Sequence, residues 1–315
     1  MEIVLLGAGA MGSYFGARLA LAGHLLALVD PDEQRMAAIR SQGLTLREDG
    51  SEWHVGEMEA VCAAHEIRSA DVVIVLTKAH HAVDAIEAAS HLIARAAAVV
   101  ILSNGLGCGM AAAQSVPADR LFHGASAAGA VLEGPNVVRH HVCGLTCFGA
   151  YLAESQSSIA QELCQVLNAS GIESRVVNDP ESWIWTKLMI NVAYNAATAI
   201  TGVRNGQLIR TPGGRGLVEA AVKEALAVAH AHGTRIEYKD PIKEVVDLGL
   251  GPIAANQSTM LQDVLRSRST EVDFLNGAIV REGARLGVPT PVNETLARLV
   301  RVIEDQYAGL ASAKS

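Results

Sequence analysis

One six-residue stretch, Gly7-Ala8-Gly9-Ala10-Met11-Gly12, constrains this chain more than any other. It reads G-x-G-x-x-G and sits between a short apolar run, 2–6, and a segment of helical period from Met11 to Ala22 that stops at Gly23. A second apolar run, Leu25 to Val29, ends at Asp30. Strand, tight turn, helix and strand in that order open a doubly wound parallel sheet. There Gly7 permits the turn, Gly9 lets the backbone approach a pyrophosphate, and Gly12 lets helix and strand pack closely. The helix N-terminus then faces the negative charge. Gly7, Ala8, Gly9, Ala10, Met11 and Gly12 are therefore candidate dinucleotide-binding residues; the plainer reading is a glycine turn with no ligand.

Asp30 closes the second strand, where a carboxylate accepts hydrogen bonds from the adenosine ribose hydroxyls and repels a 2′-phosphate. Pro31 follows and the nearest cation is Arg35, so Asp30 favours NAD over NADP. The alternative is that Asp30 caps the segment starting at Asp32 and leaves Arg35 free to reach a phosphate. The alternation continues with a strand over Asp71–Thr77, a helix over His80–Arg95 and a strand over Ala97–Leu102. Ligands of open α/β sheets bind outside the carboxyl ends of the strands, so Gly7, Asp30, Lys78 and Asn104 are expected to border one crevice.

Short strands are expected from Leu121 to Phe148, then a helix over Ser157–Asn168 and a strand over Ile172–Val177. Asn178-Asp179-Pro180 makes a plausible hinge. Beyond it the chain reads as helices over Glu181–Thr201, Gly214–His232, Ala254–Leu265, Glu271–Leu286 and Glu294–Ala308. The expected architecture is α/β plus all-α: a dinucleotide-binding domain over 1–178 and a helical substrate-binding and catalytic domain over 179–315.

Within the first of these helices Lys187, Asn191 and Asn195 are spaced i, i+4, i+8, a polar stripe among Leu188, Met189, Ile190, Val192 and Ala193. A buried helix does not normally carry a lysine and two asparagines in line unless something polar faces them. A carbonyl substrate would serve, and a partly desolvated lysine has its pKa lowered, which suits it to protonating the oxygen formed as hydride reaches carbon. Bonds to neighbouring helices are the structural alternative. In a second polar cluster Asn256, Thr259 and Asp263 are expected to share one helical face. Glu271 starts the next helix, where a carboxylate suits the dipole alone.

The formal net charge of −8, without any Lys/Arg run, argues against nucleic acid. The longest apolar runs fall short of the roughly 20 residues that cross a membrane, and the start lacks the pattern of a signal peptide, so a cytoplasmic location is expected. Five scattered cysteines suggest free thiols. Cys143 and Cys147 near His140 and His141 have the wrong spacing for a zinc site, so no metal is expected.

These residues together resemble the ketopantoate reductase (2-dehydropantoate 2-reductase) family: the glycine loop, Thr77-Lys78-Ala79, Ser103-Asn104-Gly105-Leu106-Gly107, the lysine stripe, Asn205-Gly206, and Ser258 through Asp263 with Thr270-Glu271-Val272-Asp273. The resemblance spans nearly the whole chain. It implies a Rossmann domain joined to a helical domain of the 6-phosphogluconate dehydrogenase-like type, with the active site in the cleft between them. It implies that Lys187 is the general acid for the C2 oxygen, that Glu271 binds the substrate hydroxyl near it, and that Asn104 bridges cofactor and substrate. Lys78 would lie beside the cofactor; Asn191, Asn195 and Asn256 would line the substrate pocket, with Asn205 a weaker candidate. Thr259 stands where the family commonly has a serine for the substrate carboxylate. The family's usual cofactor is NADP, whereas Asp30-Pro31 points to NAD and with it to oxidation of a hydroxy acid. Two other readings stay open: an NAD-dependent dehydrogenase of another small 2-keto or 2-hydroxy acid, and a dinucleotide-binding sensor without turnover. The apolar helical faces suggest a homodimer, though burial within the chain explains them equally.

Overall fold

The computed structural model describes residues 1–56, 58–152 and 157–312. Met1–Ser103 and Gly107–Pro180 form one compact unit; Asn104–Leu106 and the chain from Glu181 onward form a second.

The first unit runs β1 (Glu2–Leu6), α1 (Ala10–Leu21), β2 (Leu25–Val29), α2 (Glu33–Gln42), β3 (Leu44–Glu48), β4 (Ser51–Val55), β5 (Glu59–Val61), β6 (Val72–Val75), α3 (Ala82–Ala88), α4 (Ser90–Ile93), β7 (Ala98–Ile101), α5 (Cys108–Ala112), β8 (Leu121–Ser126), β9 (Gly129–Leu132), β10 (Val137–Val142), β11 (Thr146–Ala150), α6 (Ser157–Ala169) and β12 (Ser174–Val176). Eight strands make one sheet in the order β12-β11-β8-β7-β6-β1-β2-β5. β1 pairs parallel with β2 on one side and β6 on the other, so strand order reverses at β1, the position at which open α/β sheets generally bind their ligands. β6 and β7 are buried throughout, which is why they read as unbroken apolar runs: both faces of a parallel sheet are covered. The doubly wound sheet agrees with the expectation.

A second sheet, β4-β3-β10-β9, was not anticipated. β3 points Leu44, Leu46 and Glu48 inward, so the third inward position is a carboxylate. Arg18 of α1 and His140 of β10 both bond Glu48, His140 also bonds the Val142 carbonyl at 2.8 Å, and Tyr14 stacks on the His140 ring at 4.3 Å. Burial pushes the Glu48 carboxyl up, but the Arg18 and His140 bonds outweigh it and hold the group below the usual carboxylate range. A depressed folded-state value contributes stability that is complete above the unfolded-state value and lost as pH falls through the folded one. Glu48→Ala is expected to cost roughly 3 kcal/mol, since it leaves buried charge uncompensated. Urea melts read it, and the variant should lose less stability than wild type on acidification.

The second unit is helical: α7 (Pro180–Thr201), α8 (Asn205–Ile209), α9 (Pro212–His232), α10 (Pro241–Leu250), α11 (Thr259–Leu265), α12 (Asn276–Leu286) and α13 (Pro291–Ser312). Side-chain caps set the starts: Thr211 accepts from Gly214 ahead of α9, and Asp240 from Lys243 ahead of α10, each with proline as the first helical residue. Trp185, Leu188, Met189, Val192 and Ala193 of α7 are buried, as are Val218, Ala221, Val222 and Ala225 of α9. No helix among the described residues is long and apolar enough to cross a membrane.

Three expected helices differ. The one expected over His80–Arg95 is a 3-10 turn, Ala79–His81, then α3 and α4, broken at Ala89. The helix expected from Ala254 starts at Thr259, because the Ser258 hydroxyl caps it by accepting from Leu261 at 3.0 Å; Asn256 therefore lies off the helix and shares no face with Thr259 and Asp263. The helix expected from Glu271 is a 3-10 turn, Val272–Phe274, followed by Leu275 with φ −106° and ψ −103°, and α12 begins only at Asn276.

Candidate active site

Two groups of residues carry chemistry, one in each unit. In the first unit β1 delivers the chain into Gly7, whose φ is +97° and whose α-carbon lies flush against β6's continuation: a Cβ there would be 2.8 Å from the Thr77 nitrogen. A Cβ on Gly12 would stand 1.8 Å from the Gly7 oxygen, whereas one on Gly9 would meet nothing within 4 Å. So Gly7 and Gly12 are required by the turn itself, while Gly9 keeps open a space that the protein does not fill. Gly9 also caps α1 without a side chain, and the first turn of α1 carries no acidic residue. Its N–H donors and dipole thus favour an anion, and the loop fits a dinucleotide pyrophosphate.

Asp30 borders this loop. Its Oδ2 accepts the Ala8 amide at 2.8 Å and its Oδ1 the Asp32 amide at 3.0 Å, so the carboxylate is aimed by two backbone donors. The cap of α2 is Asp32, which accepts from the Arg35 amide at 2.9 Å and from its guanidinium at 3.2 Å. Asp30 thus does bond the start of this segment, as the alternative supposed, while Arg35 is buried with its guanidinium on Asp32. Lys78 is half-buried at the head of the Ala79–His81 turn, one residue beyond the Thr77 that adjoins Gly7.

In the second unit Lys187, on the largely buried α7, donates from Nζ to Asn104 Oδ1 at 2.6 Å, and Asn104 Nδ2 donates to Glu271 Oε2 at 3.0 Å. Asn104 is held where it is by its neighbours: the Leu106 amide donates to the Phe274 carbonyl at 3.0 Å, and Gly105, with φ +84°, packs so closely that a Cβ would be 2.1 Å from that same oxygen. Burial lowers the Lys187 pKa from 10.5 to about 8, with the Glu271 carboxylate acting in the opposite direction. An amine of that strength, held by a neutral amide next to a carboxylate, can give a proton at neutral pH and take one back.

Asn191 is half-buried and Asn195 buried, and neither amide has a hydrogen-bond partner among the described residues. With Lys187 they span about 12 Å along α7. Asn256 is half-buried; its carbonyl accepts the Asn205 amide at 3.2 Å. Thr259 is exposed at the head of α11. Sequence reasoning missed Ser258 and Thr198, whose buried hydroxyls bond at 2.7 Å and tie the Asn256–Thr259 segment to α7. A serine just ahead of an apolar run was the available signal. The buried Asn205 Oδ1 has no hydrogen-bond partner among the described residues.

With this geometry in hand, the comparisons with known proteins are specific. The family described as "Ketopantoate reductase PanE/ApbA" matches residues 3–152, and its C-terminal counterpart matches 179–304. The chain is 31% identical over 304 residues to a 2-dehydropantoate 2-reductase of Halobacterium salinarum, covering 96% of this chain and 99% of that one. A second such enzyme, from Archaeoglobus fulgidus, is 31% identical over 306 residues, covering 96% and 98%. Among solved structures, D-mandelate dehydrogenase with NADH and anilino(oxo)acetate superposes with a TM-score of 0.90 at 28% identity, covering 98% of this chain and 99% of the other. A ketopantoate reductase of Ralstonia eutropha gives 0.88 at 29% identity, covering 98% and 100%.

Proposed function

Since the chain belongs to the ketopantoate reductase family, a family of NAD(P)-dependent oxidoreductases, we propose that it reduces the C2 carbonyl of a small 2-keto acid, ketopantoate first among them. The observation that carries this reading is the hydrogen-bonded row Lys187–Asn104–Glu271, a proton donor of lowered basicity with a fixed direction. The glycine loop and Asp30 would hold the dinucleotide, and the reduced nicotinamide supplies a hydride when bound. Lys187 gives its ammonium proton to the C2 oxygen, which becomes the hydroxyl, and regains a proton from solvent. Asn104 aims the Lys187 Nζ; Glu271 aims Asn104 and supplies a carboxylate for a substrate hydroxyl. Asn191 and Asn195 offer unpaired amides to the rest of the substrate, which favours a keto acid with a polar substituent, since an apolar group would leave them unsatisfied. By the resemblance alone, Asn256 would line the substrate pocket and Thr259 would hold the substrate carboxylate.

Asp30 favours a second reading in part, an NADH-linked dehydrogenase acting on another 2-hydroxy acid. D-mandelate dehydrogenase, with its NADH, has the same fold at high similarity. Stopped-time absorbance at the reduced-nicotinamide band with ketopantoate, running NADH and NADPH in parallel, tests both. The expected result is turnover with NADH preferred by about tenfold or more, equivalent to ~1.4 kcal/mol of discrimination at the ribose. NADPH preference overturns the assignment of Asp30, and turnover of 2-keto acids other than ketopantoate alone transfers the protein to the second reading.

A further inference from the structure

Glu271 stands in a stretch with little regular structure of its own, Thr270–Phe274, of which only one 3-10 turn is helical. The C-terminal helix α13 holds that stretch from one side. Glu304 Oε1 accepts the Thr270 amide at 2.5 Å, Arg301 reaches Asp273 Oδ1 from Nε at 3.0 Å and from Nη2 at 2.5 Å, and Arg281 of α12 donates to the Asp273 carbonyl at 2.8 Å. The Arg301–Asp273 pair is exposed, with side chains 47% and 58% accessible, and contributes little. The Glu304 bond is different: it is charge-assisted, and Thr270 is buried, so losing Glu304 strands a backbone donor. From its other side the same stretch presents Glu271 to Asn104 and the Phe274 carbonyl to Leu106.

We propose that Glu304 is a positioning residue for the reaction: by fixing Thr270 it sets where the Glu271 carboxylate stands and, through Asn104, where the Lys187 ammonium points. This rests on the reading of Lys187 as the proton donor. Lys187 feels Glu271 directly. Around Glu304 stand Arg301 on the same helix and Tyr307, whose phenol is pushed up by burial and by the Glu304 and Asp263 carboxylates. If Glu271 retreats, the burial that weakens the Lys187 base is less opposed, and the pH at which it loses its proton falls.

The test compares Glu304→Ala and Glu304→Gln with wild type for keto acid reduction across pH, NADH affinity by fluorescence, and thermal melting. Glu304→Ala is expected to lower kcat by roughly tenfold to a hundredfold, the cost of a small misplacement. Its alkaline limb should move to lower pH while NADH affinity stays unchanged. Glu304→Gln keeps an acceptor for Thr270 and is expected to restore most of kcat and the wild-type limb. Should Glu304→Ala fail to fold, Glu304→Asp, whose carboxylate falls short by one methylene, takes its place. A wild-type kcat and pH profile in Glu304→Ala, or a loss that Glu304→Gln does not restore, overturns the proposal. Undiminished turnover by Lys187→Ala overturns the proton-donor reading instead, whatever Glu304 does.

Discussion

Lys187→Ala is expected to lower kcat/KM for the keto acid by roughly 10³-fold, within the range for loss of a general acid, while leaving NADH affinity unchanged. Single-turnover absorbance and cofactor titration read the two effects separately. Lys187→Arg should not rescue, because guanidinium does not give up its proton and its planar fork does not fit one amide oxygen. The pH dependence has a definite sign. Reduction needs the ammonium, so kcat is high below pH 8 and falls as pH rises through about 8; oxidation of the hydroxy acid needs the free amine and rises over the same interval. The group also affects folding. Between about 8 and its unfolded-state value the unfolded chain binds a proton that the folded chain does not, so stability from this site grows with pH there. Lys187→Met is therefore expected to raise Tm at neutral pH even as turnover disappears, the usual exchange between stability and a reactive group.

Gly9→Ala and Gly12→Ala should separate cofactor binding from folding. Gly9 has open space where a Cβ would go, so Gly9→Ala is expected to melt like wild type yet bind NADH about tenfold or more weakly, ~1.4 kcal/mol, because the methyl fills the place of approach for the pyrophosphate. Gly12→Ala puts a carbon 1.8 Å from the Gly7 oxygen, which backbone alone cannot avoid. It is expected to lower Tm as well as binding, with a cost of roughly 2 to 3 kcal/mol from overpacking. Differential scanning fluorimetry with and without NADH distinguishes the two. Equal melting of all three proteins and equal NADH shifts would remove the loop from the binding site.

Much of this was legible in the chain itself, for local reasons. The glycine loop is read because turn, strand and helix adjoin in sequence, and the stripe on α7 because helical period puts Lys187, Asn191 and Asn195 on one line. What stayed hidden depends on partners distant in sequence. β3 carries Arg47 and Glu48 and β4 carries Glu52 and His54, so their strand alternation is masked by charge; Glu48 is buried only because Arg18 and His140 come to it. α10 has a readable start in Asp240-Pro241, a cap followed by a first-position proline, but at ten residues its amphipathic run is too short to announce a helix. Glu271 invited a helix because a carboxylate suits a helix N-terminus. The fold instead uses it to accept from Asn104, a bond spanning 167 residues that no local pattern announces. Asn104 was expected to border one crevice with Gly7, Asp30 and Lys78; its side chain bonds Lys187 and Glu271, partners that no local pattern names.

The helical unit is not one continuous piece of chain, since Asn104–Leu106 belong with it although they are encoded among the strands. This bears on how such a protein can be divided or recombined. A gene fragment beginning at Glu181 would make the lysine without the amide that aims it. A chimera that exchanged only the C-terminal half between relatives would pair one parent's Lys187 and Glu271 with the other's tripeptide. Exchange at residue 180 would therefore separate Asn104–Leu106 from the Lys187, Glu271 and Phe274 they bond, although all belong to one compact unit.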